Sequence, residues 1–271
     1  MPADFQRPDP TAADALTDAL VRALREHGSS AAGLAGPPGS GKTTLARACA
    51  SMLGDELLVL SLDDYYLPAA ERERLAREVH PLFATRGVPG THELDRLVSD
   101  LDRLAGGDVQ NLRLPVFDKQ RDERRPQTEW RTVQRPPRHV LLEGWCVGLP
   151  PQADDALGAP VNALEREHDP DGRWRRAVNG HLRRMHQALA PRLGFTWYLR
   201  APGWTTIESW RLDQEDGYPD HQRMDASAVR RFLQHFERLV CHAQASCQDW
   251  ADRVIALDQR HAPFEKEPVT P

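Results

Sequence analysis

Residues Gly36-Pro37-Pro38-Gly39-Ser40-Gly41-Lys42-Thr43 constrain this chain more than any other stretch. They fit G-x-x-x-x-G-K-[ST], a turn whose backbone N–H groups surround phosphates and whose lysine opens a helix. Side chains larger than glycine would block that approach, and the positive end of the helix dipole faces the same phosphates. The expected nucleotide-binding residues are therefore Gly36, Pro37, Pro38, Gly39, Ser40, Gly41, Lys42, Thr43 and Thr44. Lys42 would reach the β- and γ-phosphates, and the Thr43 hydroxyl would ligate Mg²⁺. The plainer alternative is a Gly/Pro-rich surface turn.

The flanks favour the phosphate loop. Ser30–Ala35 reads as a short buried strand, Lys42–Leu53 as a helix closed by Gly54, and Leu57–Leu62 as a second buried strand. This is βαβ grammar: a parallel sheet flanked by helices on both faces, the phosphate-loop NTPase type of α/β fold with a lid segment. Ligands of such sheets bind at the carboxyl ends of the strands, so the residues just after each strand carry the functional expectation. Further strands are expected at 139–144, 194–199 and 253–258, with a short strand-like piece at 112–117. Helices are expected at 11–28, 69–79, 92–104, 179–190 and around Trp210, and 149–173 reads as irregular. The stripe Val229, Phe232, Leu233, Phe236, Leu239, Val240 is read as core. The expected organisation is an arm over 1–10, one domain over 11–262 with a lid near 118–131, and a frayed tail over 263–271.

Asp63 and Asp64 follow the second strand. Beside a triphosphate, one acid could accept the proton of an attacking hydroxyl and the other hold Mg²⁺ or its waters, although both could simply cap the next helix. Glu143, ending the third strand, suits a metal-facing position with Thr43. The loop 86–93 concentrates polar chemistry. Arg86 could fork onto a carboxylate or phosphate, and His92 and Glu93 could bond hydroxyls, while Thr91 could serve only as a helix cap. Lys119, Arg121, Arg124 and Arg125 form a basic cluster balanced by acids, suited to a flap that closes over phosphates. An arginine in the Trp210 helix could point back at the same charge.

Composition excludes other classes. A net charge of -5 argues against a general nucleic-acid or membrane-surface binder. Arginine supplies nearly all the positive charge, the three lysines being Lys42, Lys119 and Lys266. The four cysteines show neither C-x-x-C nor zinc spacing and read as reduced thiols. Neither a signal peptide nor a bilayer-spanning run is visible, so the expected location is cytoplasmic.

Taken together, the phosphate loop, Ser61-Leu62-Asp63-Asp64-Tyr65-Tyr66-Leu67, Arg86-Gly87-Val88-Pro89-Gly90-Thr91-His92-Glu93, Phe117-Asp118-Lys119, Glu143-Gly144-Trp145 and Trp210-Arg211-Leu212-Asp213-Gln214-Glu215 resemble the D-glycerate 3-kinase family. That family lies within the phosphoribulokinase, uridine kinase and pantothenate kinase group, and the resemblance runs from about Gly33 to Arg260. It implies ATP- and Mg²⁺-dependent phosphoryl transfer to a small hydroxy acid, with D-glycerate to 3-phosphoglycerate the expected case. It also implies Asp63 as base, Lys42 and Arg211 as charge stabilisers, and Asp64, Tyr66, Arg86, Thr91, His92, Glu93 and Lys119 around the acceptor. The alternatives are a kinase of the uridine, pantothenate or pentose phosphate type, or a nucleotide-dependent regulatory ATPase. A GTPase would want an Asn-Lys-x-Asp guanine reader, and no such run exists here.

Overall fold

The computed structural model describes residues 10–28, 31–215, 217 and 223–264; the expected arm over 1–9 and the tail beyond 264 lie outside these. Its centre is a sheet built from β1 (Ala31–Ala35), β2 (Leu57–Ser61), β7 (His139–Glu143), β8 (Leu193–Arg200), β9 (Arg253–Leu257) and β10 (Pro263–Phe264), in the order β10-β9-β8-β1-β7-β2. The first five named are mutually parallel and β10 is antiparallel to β9. β1 and β7 are buried at every position, as strands covered on both faces must be, and the small or branched apolar side chains of β1 and of Val140–Leu142 in β7 suit that setting. Between β2 and β7 run four two-residue strands that pair as β3 (Arg113–Leu114) with β6 (Arg131–Thr132) and β4 (Phe117–Asp118) with β5 (Glu123–Arg124).

Helices cover the sheet: α1 (Pro10–Glu26), α2 (Lys42–Leu53), α3 (Ala69–Glu78), α4 (Leu94–Ala105), α5 (Ala163–His168), α6 (Arg173–Leu189), α7 (Trp204–Glu215) and α8 (Ala226–Trp250). The register sets the site. Glu143 at the end of β7 lies opposite Ser61 of β2 and Leu34 of β1, so three strand ends converge where the phosphate loop begins.

Three expectations are corrected. The stretch 149–173 is not wholly irregular, for it holds α5, whose Asn162 cap accepts a hydrogen bond from Glu165 N at 3.0 Å. Buried Glu165 then receives both Nε and Nη2 of Arg238 on α8 at 2.7 Å, with the Ala156 and Ala159 carbonyls accepting from Nη1 and Nη2. Such a bidentate fork fixes α8, because removing one partner of a buried pair costs about 3–5 kcal/mol. Helix α6 starts at Arg173, so its buried face (Trp174, Val178, Leu182, Met185, Leu189) has a regular spacing that a start at 179 hides. Finally, Pro263 and Phe264 pair with Leu257 and Ala256 as a sixth strand instead of fraying.

Candidate active site

Gly39 of the phosphate loop has φ +81, and a Cβ there would stand 2.8 Å from Cβ of Trp210, so only glycine lets the loop pass under α7. Lys42 is buried and its Nζ donates to Pro37 O at 2.9 Å and to Ser40 Oγ at 3.4 Å. Burial pushes its pKa down, opposed by the charges of Glu143 and Asp63. An incoming phosphate would supply further negative charge to this ammonium. Thr43 Oγ1 and Ser61 Oγ both donate to Oε1 of Glu143, at 3.2 and 2.8 Å. A hydroxyl and one buried carboxylate, both hard oxygen donors beside the loop lysine, fit Mg²⁺ held jointly by protein and phosphates. Among the described residues no group of three or more His, Cys, Asp or Glu could hold a metal by itself.

Asp63, just past β2, has both oxygens engaged. Tyr66 OH donates to Oδ1 at 2.9 Å and Lys119 Nζ to Oδ2 at 2.5 Å. Burial alone would raise the carboxyl pKa, but the Lys119 charge and the two hydrogen bonds outweigh it and hold the group at about 2. His92 stacks on Tyr66 with ring centroids 4.6 Å apart and pairs with it through an isolated β-bridge. Burial pushes the His92 pKa down to about 4, so the ring is neutral at physiological pH, and neither nitrogen has a protein partner. Asp64, expected beside the substrate, turns away: its Oδ1 accepts from Phe117 N at 3.1 Å and anchors the β4–β5 hairpin.

That hairpin carries Lys119, and the loop 86–93 holds it down. Arg86 pairs with Asp122, donates to Lys119 O at 3.2 Å and lies 5.7 Å from the Phe117 ring centroid. Buried Arg72 donates to the Asp122 carbonyl at 2.8 Å. Thr91 is fully buried and braces the loop, its hydroxyl donating to Val88 O and accepting from Gly87 N. It neither caps α4, whose cap is Glu93, nor reaches the cleft. Glu93 binds Arg124 at 2.5 Å, and Arg124 also donates to Tyr66 O at 2.7 Å. Arg125 pairs with Asp118 and Glu129, and Arg121 is 82% exposed. Of the expected lid cations, none of the three arginines lines the cleft, because each is turned to carboxylates or solvent; Lys119 does line it.

Two cavities flank the loop. A cleft of about 170 Å³ gathers Asp63, Tyr66, Arg86, Lys119 and Arg211 against Lys42, Thr43 and Glu143. Its far wall is aromatic, formed by Trp145, Phe232 and Phe236. On the outer side of the loop a pocket of about 600 Å³ opens between α1, α2, α7 and the β9–β10 turn. There Trp210 stacks on His261 with centroids 4.1 Å apart and donates Nε1 to Gln259 O at 2.8 Å. His261 Nε2 meets Gly39 O at 2.7 Å, tying the turn to the loop. No short motif marks Gln259, His261 or the α1 residues Ala13 and Thr17 as ligand-facing, so the sequence alone does not reveal them. Phe232 and Phe236 are hidden in a stripe that otherwise is core.

Comparison with known proteins supports a phosphate-loop kinase fold. Residues 32–124 match the family model described as ATPase family associated with various cellular activities (AAA), a span that contains the phosphate loop. The chain is 28% identical over 222 residues to "Uncharacterized kinase mug58" of Schizosaccharomyces pombe, covering 75% of this chain and 77% of that one. It is 26% identical over 248 residues to the chloroplastic D-glycerate 3-kinase of Arabidopsis thaliana, covering 83% of this chain and 51% of that relative, about half its length. Among solved structures, a D-glycerate 3-kinase from Cryptococcus neoformans superposes with a TM-score of 0.71 at 21% identity, covering 96% of this chain and 99% of the other.

Proposed function

We propose that this chain, a homologue of the D-glycerate 3-kinases with the phosphate-loop kinase fold, transfers the γ-phosphate of ATP to a hydroxyl of a small hydroxy acid, with D-glycerate the leading acceptor. The observation that carries this reading is the pairing of Asp63, just past β2, with a small cation-lined cleft beside Lys42. At about 170 Å³ the cleft is below the several hundred that larger ligands occupy, which favours an acceptor of a few carbons over a second nucleoside. Arg86, Lys119 and Arg211 line it and suit an anionic acceptor.

The mechanism follows from the residues. The acceptor hydroxyl displaces Lys119 from Asp63, and the ammonium turns to the acceptor's carboxylate. The hydroxyl oxygen bonds to the γ-phosphorus, the bond from that phosphorus to the β–γ bridging oxygen breaks, ADP departs, and the hydroxyl proton passes to Asp63. Tyr66 keeps the carboxylate oriented, with His92 stacked behind it. Lys42 and Arg211 stabilise charge on the transferring group. Mg²⁺ held by Thr43 and Glu143 would neutralise phosphate charge. The nucleoside occupies the larger pocket, its base against the Trp210–His261 stack.

ADP release is measured with ATP and a panel of D-glycerate, L-glycerate, uridine, pantothenate and ribulose 5-phosphate. D-glycerate is expected to give the highest kcat/KM; activity confined to another acceptor would replace the substrate assignment. ATP consumption that needs no acceptor and responds to a protein instead would favour a regulatory ATPase, the reading that the match over 32–124 keeps open. His261→Ala is expected to raise the KM for ATP about 3- to 10-fold with kcat little changed, the scale of one lost ring contact. An unchanged KM would move the base elsewhere.

A further inference from the structure

The polar groups of the acceptor cleft come from the turn after β2, the loop after α3, the β4–β5 hairpin, the end of β7, α7 and the phosphate loop with the start of α2, whereas α8 faces them with hydrocarbon. Building on the hydroxy-acid reading, we propose that Phe232 and Phe236 of α8 form a rigid wall that sets the upper size limit of the acceptor. These two rings would then determine specificity without touching the chemistry.

Phe236 cannot retreat. It is 3% exposed and its ring meets Trp145 edge-on with centroids 5.1 Å apart. Gly87, at φ +135, comes so close that a Cβ there would lie 2.2 Å from Cζ of Phe236. Trp145 is locked in turn, its Nε1 donating to Gly87 O at 2.9 Å. Phe232, one turn earlier and only half-buried, leans on Phe236 with centroids 5.0 Å apart and lies 5.8 Å from the Arg211 guanidinium. The helix carrying both rings is clamped by the Arg238–Glu165 fork. A flexible wall would repack around a longer acceptor. This one would have to strain a packed aromatic trio, and overpacking of that kind is destabilising. One methylene in an apolar pocket typically changes kcat/KM by about 10- to 200-fold, so a fixed wall discriminates on that scale.

The test measures kcat/KM by ADP release for linear hydroxy acids of three to six carbons and for polyols of the same lengths, using the intact chain. Phe232→Ala is expected to raise the ratio of four- and five-carbon to three-carbon acceptors about 10-fold or more, chiefly through gains on the longer ones. Phe232→Leu, which keeps an apolar contact, should move the ratio the same way by less and decides the matter if the alanine variant fails to fold. Gly87→Ala should act in reverse, driving Phe236 into the cleft and lowering turnover on every acceptor at unchanged KM for ATP. An unchanged length ratio in the Phe232 variants, with normal melting and ATP binding, overturns the wall. Wild-type activity on polyols alone would overturn the hydroxy-acid reading, while the ratio within the polyol series still judges the wall. No activity on any acceptor overturns both.

Discussion

Replacing Asp63 by Asn is expected to lower kcat about 10²- to 10⁴-fold, the usual contribution of a positioned base, with ATP affinity nearly intact. The amide has the carboxylate's shape and can still accept from Tyr66, but it cannot take the acceptor's proton and no longer holds the Lys119 ammonium. Steady-state ADP release and an ATP titration separate the two quantities; near-normal turnover would remove Asp63 from the mechanism. The pH dependence sharpens the point. With Asp63 held at about 2 against an ordinary 3.8, the proposed base is ionised throughout the neutral range before acceptor binds. The folded-state pKa is depressed, so the stabilising contribution is complete above 3.8 and is lost as pH falls toward 2. Lys119→Met removes the main opposing influence and leaves burial to act, so the acid limb of kcat/KM should move to higher pH. An unmoved limb would show that Lys119 does not govern this carboxyl.

Arg211→Ala should cost about 10³-fold in kcat, the lower end of what an arginine contributes to phosphoryl transfer. The side chain lines the cleft with Pro38 and Gly39 and pairs with Glu215, which is itself buried. Truncation therefore also strands an acid, and the melting temperature should fall. Arg211→Lys separates the effects: it keeps a charge for Glu215 but lacks the fork that spans two phosphate oxygens, so stability should recover more than turnover. Full activity in Arg211→Ala at reduced stability would make the residue only a partner of Glu215.

Short contiguous signals were legible in the sequence. The phosphate loop, the strands β2 and β7, Asp63 just past one and Glu143 ending the other are each readable from a few neighbouring residues, and the parallel register then brings them together. The sequence did not show that β2 is a partly exposed edge strand and not a buried one. Features that depend on distant pairings were not. Asp64 and Asp63 are adjacent in sequence, yet a bond to Phe117 N turns one into an anchor while Lys119 claims the other. Arg124 resembles a lid arginine until Glu93 is seen opposite it. In α8 the spacing that builds core also delivers Phe232 to the cleft, and helical periodicity cannot distinguish the two fates.

The pocket outside the phosphate loop has walls from opposite ends of the described chain, Ala13 and Thr17 on α1 and His261 and Pro263 beyond β9. Nucleotide seated there, as proposed, would act as a tether between them. Binding stabilises only a chain in which both ends are docked, by RT ln(1 + [L]/Kd), about 2.7 kcal/mol at a hundredfold excess over Kd. Amide exchange in α1 and in the β9–β10 hairpin should therefore slow together on adding ATP, while the β3–β6 pair, which does not line the pocket, should not respond. On the proposed reading the tether cannot form during synthesis until residue 263 has left the ribosome, so full ATP affinity would require both walls of the pocket to have been made.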